Sequence, residues 1–312
     1  MKIHNGANAF SSERQTVVTI GTFDGVHAGH RKIIDRMVNA AKAGNLESVI
    51  LTFFPHPRMV LQQESDIKLI NTIEERKQIL AETGIDHLVV HPFTRQFSRL
   101  TALEFVRDIL VNKLKASHVI IGYDHRFGRN RTADITNLKE FGEQFGFEVE
   151  EITKEEVDQV AVSSTKIRKA LQEGRVERAN NYLQQPFSLY GTVIKGRGLG
   201  KDFNYPTANL HIAEEYKLIP KNGVYVARAE IEGEMFFGMM NIGTNPTVGG
   251  EERTIETYFF NLDKDLYGKS LKIEMLVRIR DEKKFDSVNA LKNAMKQDEA
   301  FSKQYIKDNY AE

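Results

Sequence analysis

The pattern of apolar residues changes once along this chain, and that change limits the folds open to it. Up to about Tyr182, short β-branched runs alternate with segments of helical period. Val17 to Ile20, Ser48 to Phe54, His87 to Val90 and His118 to Ile121 read as buried strands. Gly29 to Ala43, Thr72 to Glu82, Ala102 to Leu114 and Ile135 to Phe145 read as helices. Strand and helix in alternation predict a parallel sheet covered on both faces. Beyond Gln184-Gln185-Pro186, where proline ends a helix, five strand-like segments follow without intervening helices. They are Ser188 to Ile194, Gly223 to Ile231, Met235 to Ile242, Thr254 to Asn261 and Leu271 to Ile279. Such a series predicts a small barrel or sandwich. Ser287 to Tyr310 reads as a closing amphipathic helix with Val288, Leu291, Met295, Tyr305 and Ile306 near one side. A chain of 312 residues can bury two cores. The expected division is residues 1–185 and 186–312.

Charge and cysteine content remove several functions. Lys+Arg and Asp+Glu each number 43, so no surplus of positive charge supports a nucleic-acid partner. The absence of cysteine excludes disulfides, thiolate metal sites and cysteine nucleophiles. Met1 to Glu13 lacks the apolar stretch of a signal peptide, and runs such as Val49 to Phe54 are too short to span a bilayer. The expectation is a cytoplasmic protein with no membrane partner; its oligomeric state is not legible.

In the first half, Gly21-Thr22-Phe23-Asp24-Gly25-Val26-His27-Ala28-Gly29-His30 follows a strand and opens a helix. Free backbone N–H groups at such a junction form an anion site. His27 and His30 are three apart, so both imidazoles can face one phosphate. No Gly-Lys-Ser/Thr follows, which excludes a Walker loop. Val162-Ser163-Ser164-Thr165-Lys166-Ile167-Arg168 places hydroxyls at a second helix start with Arg168 one turn inside, and Ser164 is also a good helix cap. Gly122 to Gly128 sits at the C-terminal end of an apolar strand, where open α/β sheets bind ligands. In the second half, Gly196-Arg197-Gly198-Leu199-Gly200 precedes Tyr205-Pro206-Thr207-Ala208-Asn209.

These strings resemble two families. The His-x-Gly-His turn and the Ser-Ser-Thr-x-Ile-Arg string are similar to those of the nucleotidyltransferase superfamily, and the Pro-Thr-Ala-Asn string resembles riboflavin kinases. Together, in this order, they resemble the bacterial bifunctional riboflavin kinase/FMN adenylyltransferases, or FAD synthetases, from about Thr16 to Tyr305. The resemblance implies a Rossmann-like α/β nucleotidyltransferase domain followed by a Greek-key β-barrel with a C-terminal helix. It implies ATP-dependent phosphorylation of riboflavin to FMN in the second domain. In the first it implies adenylylation of FMN to FAD with release of pyrophosphate. By the resemblance, Gly21, Thr22, Phe23, Asp24 and Gly29 surround the nucleotide, His27, His30 and Arg168 serve catalysis, and Ser163, Ser164 and Thr165 hold phosphates. Asp124 and Phe127 would help bind flavin, and Pro55 and Pro57 would shape a flavin-facing loop. His56, between those prolines, is not expected to act as an acid or base.

In the kinase half, Thr207 and Asn209 would hold Mg²⁺ and ATP phosphates, with hard oxygen ligands that suit the ion. Gly196, Gly198 and Gly200 would fold over the nucleotide. The attacking group is an alcohol, whose proton must leave as the bond forms, and the family pattern puts that acceptor at Glu256, ahead of Tyr267-Gly268. Three positions depart from the family: Asn204 and Lys201 replace a usual glycine and arginine, and Ala133 replaces a usual glycine. If that last position needs positive φ, Ala133 would strain its loop. The alternatives are a chain that keeps one activity, with the kinase the one lost, and a non-catalytic flavin- or RNA-binding regulator. A regulator would not need His27, His30, Arg168, Thr207 and Glu256 together.

Overall fold

The computed structural model describes residues 1–62, 66–153, 156, 162–196, 205–247 and 250–310. The chain divides into two compact units, Met1–Ser164 and Thr165–Glu312.

The first unit is built on a six-stranded, wholly parallel sheet in the order β1-β4-β3-β2-β5-β6. The strands are β1 (Lys2–His4), β2 (Thr16–Ile20), β3 (Glu47–Phe54), β4 (His87–Pro92), β5 (Ala116–Gly122) and β6 (Glu148–Ile152). Alternate residues of the central strands feed two cores. Val17, Ile50, Leu88 and Ile120 pack with Ile34, Met37, Val38 and Ala41 of helix α1 (Ala28–Ala43). Val18, Leu51, Val89 and Val119 pack with Phe105, Val106 and Leu110 on the other face. Burial on both sides is why these strands read as unbroken apolar runs. The remaining helices are α2 (Pro57–Leu61), α3 (Ile73–Ala81), α4 (Ala102–Glu104), which continues as a π-helix over Phe105–Val111, and α5 (Ile135–Phe145). The expected single helix from Ala102 therefore changes its hydrogen bonding after one turn. Strand β1 and strand β6 escape the sequence pattern because both carry charged residues at the sheet edges.

Sheet order matters for the site. From β2 the chain winds outward one way through β3 and β4, and the other way through β5 and β6. The reversal lies between β2 and β5, and ligands of open α/β sheets bind beyond the carboxyl ends of the strands at that point. Gly21 follows β2 and Tyr123 follows β5.

The second unit begins within α6 (Ser164–Gln172), at Thr165, and goes on to α7 (Val176–Leu183). It continues as a closed six-stranded barrel ordered β10-β11-β8-β7-β12-β9. The strands are β7 (Phe187–Ile194), β8 (Ala208–His211), β9 (Gly223–Ile231), β10 (Glu234–Thr247), β11 (Gly250–Phe259) and β12 (Ser270–Asp281). All pairs are antiparallel, and β12 returns to lie beside β9, the Greek-key return. The Pro-Thr-Ala-Asn string leads into β8, and Asn241 to Thr247 lies inside β10.

Helix α7 is bound into this unit by Asn180. Its amide donates to the carbonyls of Met275 (2.9 Å) and Leu276 (3.3 Å), and its side-chain oxygen accepts from the Phe187 N–H (2.7 Å). The closing helix α8 (Val288–Tyr310) docks differently from its apolar pattern. Val288 is 55 % exposed, whereas Asp298 and Ser302 are the buried positions. Asp298 accepts a two-pronged bond from Arg280 of β12 at 2.8 and 2.7 Å, so a charge pair sets the helix register, with Met295, Tyr305 and Ile306 packing around it. Among the described residues no helix is long and apolar enough to cross a membrane.

Removing the Asn180 side chain takes a partner from the Phe187 N–H and from two carbonyls. We expect Asn180→Ala to lower the unfolding free energy of the second unit by about 1–3 kcal/mol. Urea unfolding followed by barrel tyrosine fluorescence checks this.

Candidate active sites

The turn after β2 is held in an unusual backbone. Phe23, Gly25 and Val26 all have left-handed φ, at 48°, 91° and 40°. Such angles are rare for a bulky residue and rarer for a β-branched one. They persist because Asp24, fully buried, is tied on every side. Its carboxylate accepts from the N–H groups of Ile70 (3.1 Å) and Asn71 (3.2 Å) and lies 3.8 Å from the buried Arg76 guanidinium. Its carbonyl accepts from Ser164 Oγ at 2.9 Å. Asp24, expected beside the nucleotide, spends its carboxylate on the scaffold of the turn. Phe23 likewise packs inward, 2 % exposed, with its ring against His30 at 5.0 Å.

His27 is the N-cap of α1, its Nδ1 accepting from the His30 N–H at 3.4 Å. The two imidazoles stack at 3.7 Å between centroids and 16° between planes. Gly29 allows this, since a Cβ there would sit 3.3 Å from the His27 ring. Burial first, then the neighbouring His27 and Arg76, hold the His30 pKa well below the usual imidazole range. His30 Nδ1 is buried and has no hydrogen-bond partner among the described residues. This arrangement offers a neutral imidazole and a helix N-terminus to an incoming anion. Arg76 was missed in the sequence, where Glu-Glu-Arg-Lys on a helix reads as a solvated face.

The Ser-Ser-Thr string meets this turn through Ser164, whose hydroxyl reaches the Asp24 carbonyl. Ser163 precedes α6, while Thr165 and Arg168 stand on its first turns, in the second compact unit.

Gly21 and Thr22 line the mouth of a cavity of about 820 Å³ within the first unit. Phe53, Phe93, Phe97, Phe105 and Phe127 contribute its apolar walls, and Pro57 and Asp124 also line it. Phe127 is largely core, 7 % exposed. Pro55 is exposed and outside the lining. His56 caps α2, accepting from the Arg58 N–H at 3.2 Å, a structural role. Ala133 does not carry positive φ; in this loop Gly128, Asn130 and Arg131 do. The expected strain at Ala133 is therefore absent, and Ala133 instead pairs with Phe127 through two backbone bonds of 3.0 and 3.3 Å. Inside this loop, burial and Arg131 push the His125 pKa down to about 4, with Asp124 opposing.

The barrel assembles the second constellation by register. Asn209 of β8 lies directly opposite Glu256 of β11, which in turn lies opposite Asn241 of β10. Thr207 Oγ1 donates to Glu256 Oε2 at 3.1 Å. Thr207, Asn209 and Glu256, separated by up to 49 positions in sequence, thus form one polar row. Gly196 lies against it: a Cβ there would fall 2.2 Å from Asn209 Nδ2. Gly198 and Gly200, with Lys201 and Asn204, lie outside the described residues. A cavity of about 400 Å³ opens beside Pro206 and Thr207, lined also by Thr257, Phe259 and Tyr267. Among the described residues no cluster of three His, Asp or Glu could hold a metal. A cation here would rest on the hydroxyl and amide oxygens of Thr207 and Asn209, a hard-oxygen set that suits Mg²⁺ when nucleotide phosphates complete it.

His87 and His91 are likewise held low by burial. An imidazole that is neutral when folded takes up a proton on unfolding as pH falls. Stability linked to these groups is intact above pH 6.5 and is lost towards pH 4 for His125. Melting temperatures across that window should fall steeply for the parent and less steeply for His125→Phe; parallel curves would contradict the assignment.

Residues 9–166 match the sequence model of the FAD synthetase family, and residues 183–306 match that of riboflavin kinase. The chain is 34 % identical to the bifunctional riboflavin kinase/FMN adenylyltransferase of Buchnera aphidicola from Schizaphis graminum, over 98 % of this chain and 99 % of that one. It is 36 % identical to the Listeria monocytogenes protein of the same description, over 91 % and 90 %. The Escherichia coli K12 protein is 32 % identical over 98 % of each. A crystal structure described as a macrolide-efflux protein from Streptococcus pneumoniae superposes with a TM-score of 0.88 at 31 % identity, covering 99 % of both chains. With two unlike sites on two unlike units and relatives matching end to end, this chain belongs to the bifunctional riboflavin kinase/FMN adenylyltransferase family.

Proposed function

We propose that the second unit phosphorylates riboflavin to FMN and the first unit adenylylates FMN to FAD. The observation that carries the reading is the presence of two differently built phosphate sites, each beside its own cavity. In the first, the FMN phosphate oxygen attacks the α-phosphorus of ATP and pyrophosphate leaves. The nucleophile is already ionised, so no strong base is needed; alignment and charge stabilisation suffice. His27, His30 and the α1 N-terminus supply both, while Ser163, Ser164, Thr165 and Arg168 serve the leaving phosphates. The phenylalanine-walled cavity takes the isoalloxazine, with Asp124, Phe127 and Pro57 at its edge.

In the second, the ribityl 5′-hydroxyl attacks the γ-phosphorus and ADP leaves. Glu256 takes the hydroxyl proton, and its bond from Thr207 fixes the carboxylate in place. Bound at Thr207 and Asn209, Mg²⁺ would neutralise charge on the transferring phosphoryl group. Gly196, Gly198 and Gly200 close over the nucleotide. We place the boundary between functions at residues 185 and 186, and the protein in the cytoplasm, acting on riboflavin, FMN and ATP without nucleic acid.

With riboflavin, ATP and Mg²⁺, chromatography should show FMN, FAD, ADP and pyrophosphate. Glu256→Gln should slow FMN formation by roughly 10²-fold or more while leaving FAD formation from supplied FMN intact. His30→Ala should do the reverse. Loss of FMN formation in His30→Ala would contradict this division.

A further inference from the structure

The cavity of the first unit has an unusual charge. Arg58, Arg95, Arg99, Arg126, Arg129 and Arg131 all line it, against the single carboxylate of Asp124, in a chain whose overall charge is zero. Among the described residues none of these six guanidiniums makes an ion pair or side-chain hydrogen bond; each of their side chains is exposed. Exposed arginines usually mean only a solvated surface, but six around one aromatic cavity mean a pocket for a flat ring bearing an anion.

Two of the six stand on a loop with a built backbone. The segment from Gly128 to Thr132 is an arch between β5 and α5, pinched shut by the paired backbones of Phe127 and Ala133. Gly128 has φ of 72° and lies so close to the start of α4 that a Cβ would fall 2.9 Å from the Ala102 nitrogen. Asn130 and Arg131 both hold φ of 57°. Consecutive left-handed residues without glycine are costly and persist where the surroundings impose them. Here they carry Arg129 and Arg131, one on each side of Asn130, at the cavity lining. The Arg131 N–H closes the arch on the Gly128 carbonyl at 3.0 Å, and the charge of Arg131 is felt at the His125 imidazole of the same lining.

We propose that the Arg129–Arg131 arch is the subsite for the phosphate monoester of FMN, and that it makes the first unit select the phosphorylated flavin over riboflavin. This rests on reading the first unit as an FMN adenylyltransferase. The two flavins share one ring system, so aromatic walls bind both alike, and a group that holds the phosphate near the ribityl end separates them. Arginine forks match phosphate oxygens in pairs. Arg58 of α2, with Arg95 and Arg99 between β4 and α4, raises the local concentration of the anion without fixing it.

The test uses the full chain, supplied with FMN and ATP, and measures initial rates of FAD formation. Arg129→Gln/Arg131→Gln should raise the KM for FMN about 10-fold or more, leave the KM for ATP within about 2-fold, and flatten the dependence of the FMN KM on salt. Arg129→Lys/Arg131→Lys, which keeps charge and loses the fork, should recover part of the affinity. An unchanged FMN KM in the Gln variant, or equal rises for FMN and ATP, would overturn the subsite while leaving the adenylyltransferase in place. If the parent protein formed no FAD from FMN, the reading of the whole unit would fall, and the subsite with it. A Gln variant whose melting temperature drops is judged on Arg129→Lys/Arg131→Lys: an FMN KM raised above the parent with the ATP KM unchanged sustains the subsite, and a parental FMN KM there overturns it.

Discussion

A single buried carboxylate organises the first unit. Asp24 gives up water entirely, which is tolerable only because two N–H groups and the Arg76 guanidinium replace it. Through those bonds it joins the turn after β2 to the Ile70-Asn71 segment, and through its carbonyl to Ser164. That knot keeps Phe23 and Val26 in backbone angles they would otherwise leave. It also sets His27 at the tip of α1, with His30 stacked upon it. Both histidines are therefore presented by a rigid platform, and burial holds the His30 imidazole neutral. A site that has only to align two phosphates and absorb charge gains from rigidity more than from basicity.

The barrel solves a different problem by different means. Its reacting groups come from strand register: Asn209 faces Glu256 because β8 and β11 pair there, and Thr207 extends the row one step beyond the strand. The approach to that row is anchored from outside the barrel. Tyr205, two residues before Thr207, donates to Glu299 of α8 at 2.7 Å, and Glu299 also pairs with Lys303. Burial and Glu299 together push the Tyr205 hydroxyl up to about 12, so it remains a donor at any working pH. Arg280 and Asp298 fix the same helix to β12. Carboxylates and their partners hold both sites, but in one they fold a turn and in the other they dock a helix.

Much of this was legible in the sequence, and the exceptions have physical causes. The change from alternating elements to short strands gave both folds, because a sheet buried on two faces needs continuous apolar runs and a barrel does not. Thr207, Asn209 and Glu256 were found as motif residues, and their convergence is a consequence of strand pairing that spacing alone does not encode. The structural use of the Asp24 carboxylate is not legible, because a buried structural carboxylate and a ligand-binding one look alike in sequence. Arg76 was invisible for the converse reason, a buried charge inside a charged run. The apolar side of α8 is legible in part: Met295, Tyr305 and Ile306 pack as the pattern expects, while Asp298 and Ser302 are buried with them although periodicity assigns polar residues to solvent. The arch at Arg129 and Arg131 carries no signal in the sequence, because its two consecutive left-handed residues, Asn130 and Arg131, are not glycine.

The account requires that one polypeptide hold two triphosphates at once, one at the imidazole-tipped helix and one beside Thr207. Calorimetric titration of the full chain with a non-hydrolysable ATP analogue, in Mg²⁺ and without flavin, should saturate at two equivalents. His30→Ala and Thr207→Ala should each remove a different one. Saturation of the parent at one equivalent, abolished by either substitution, would contradict it.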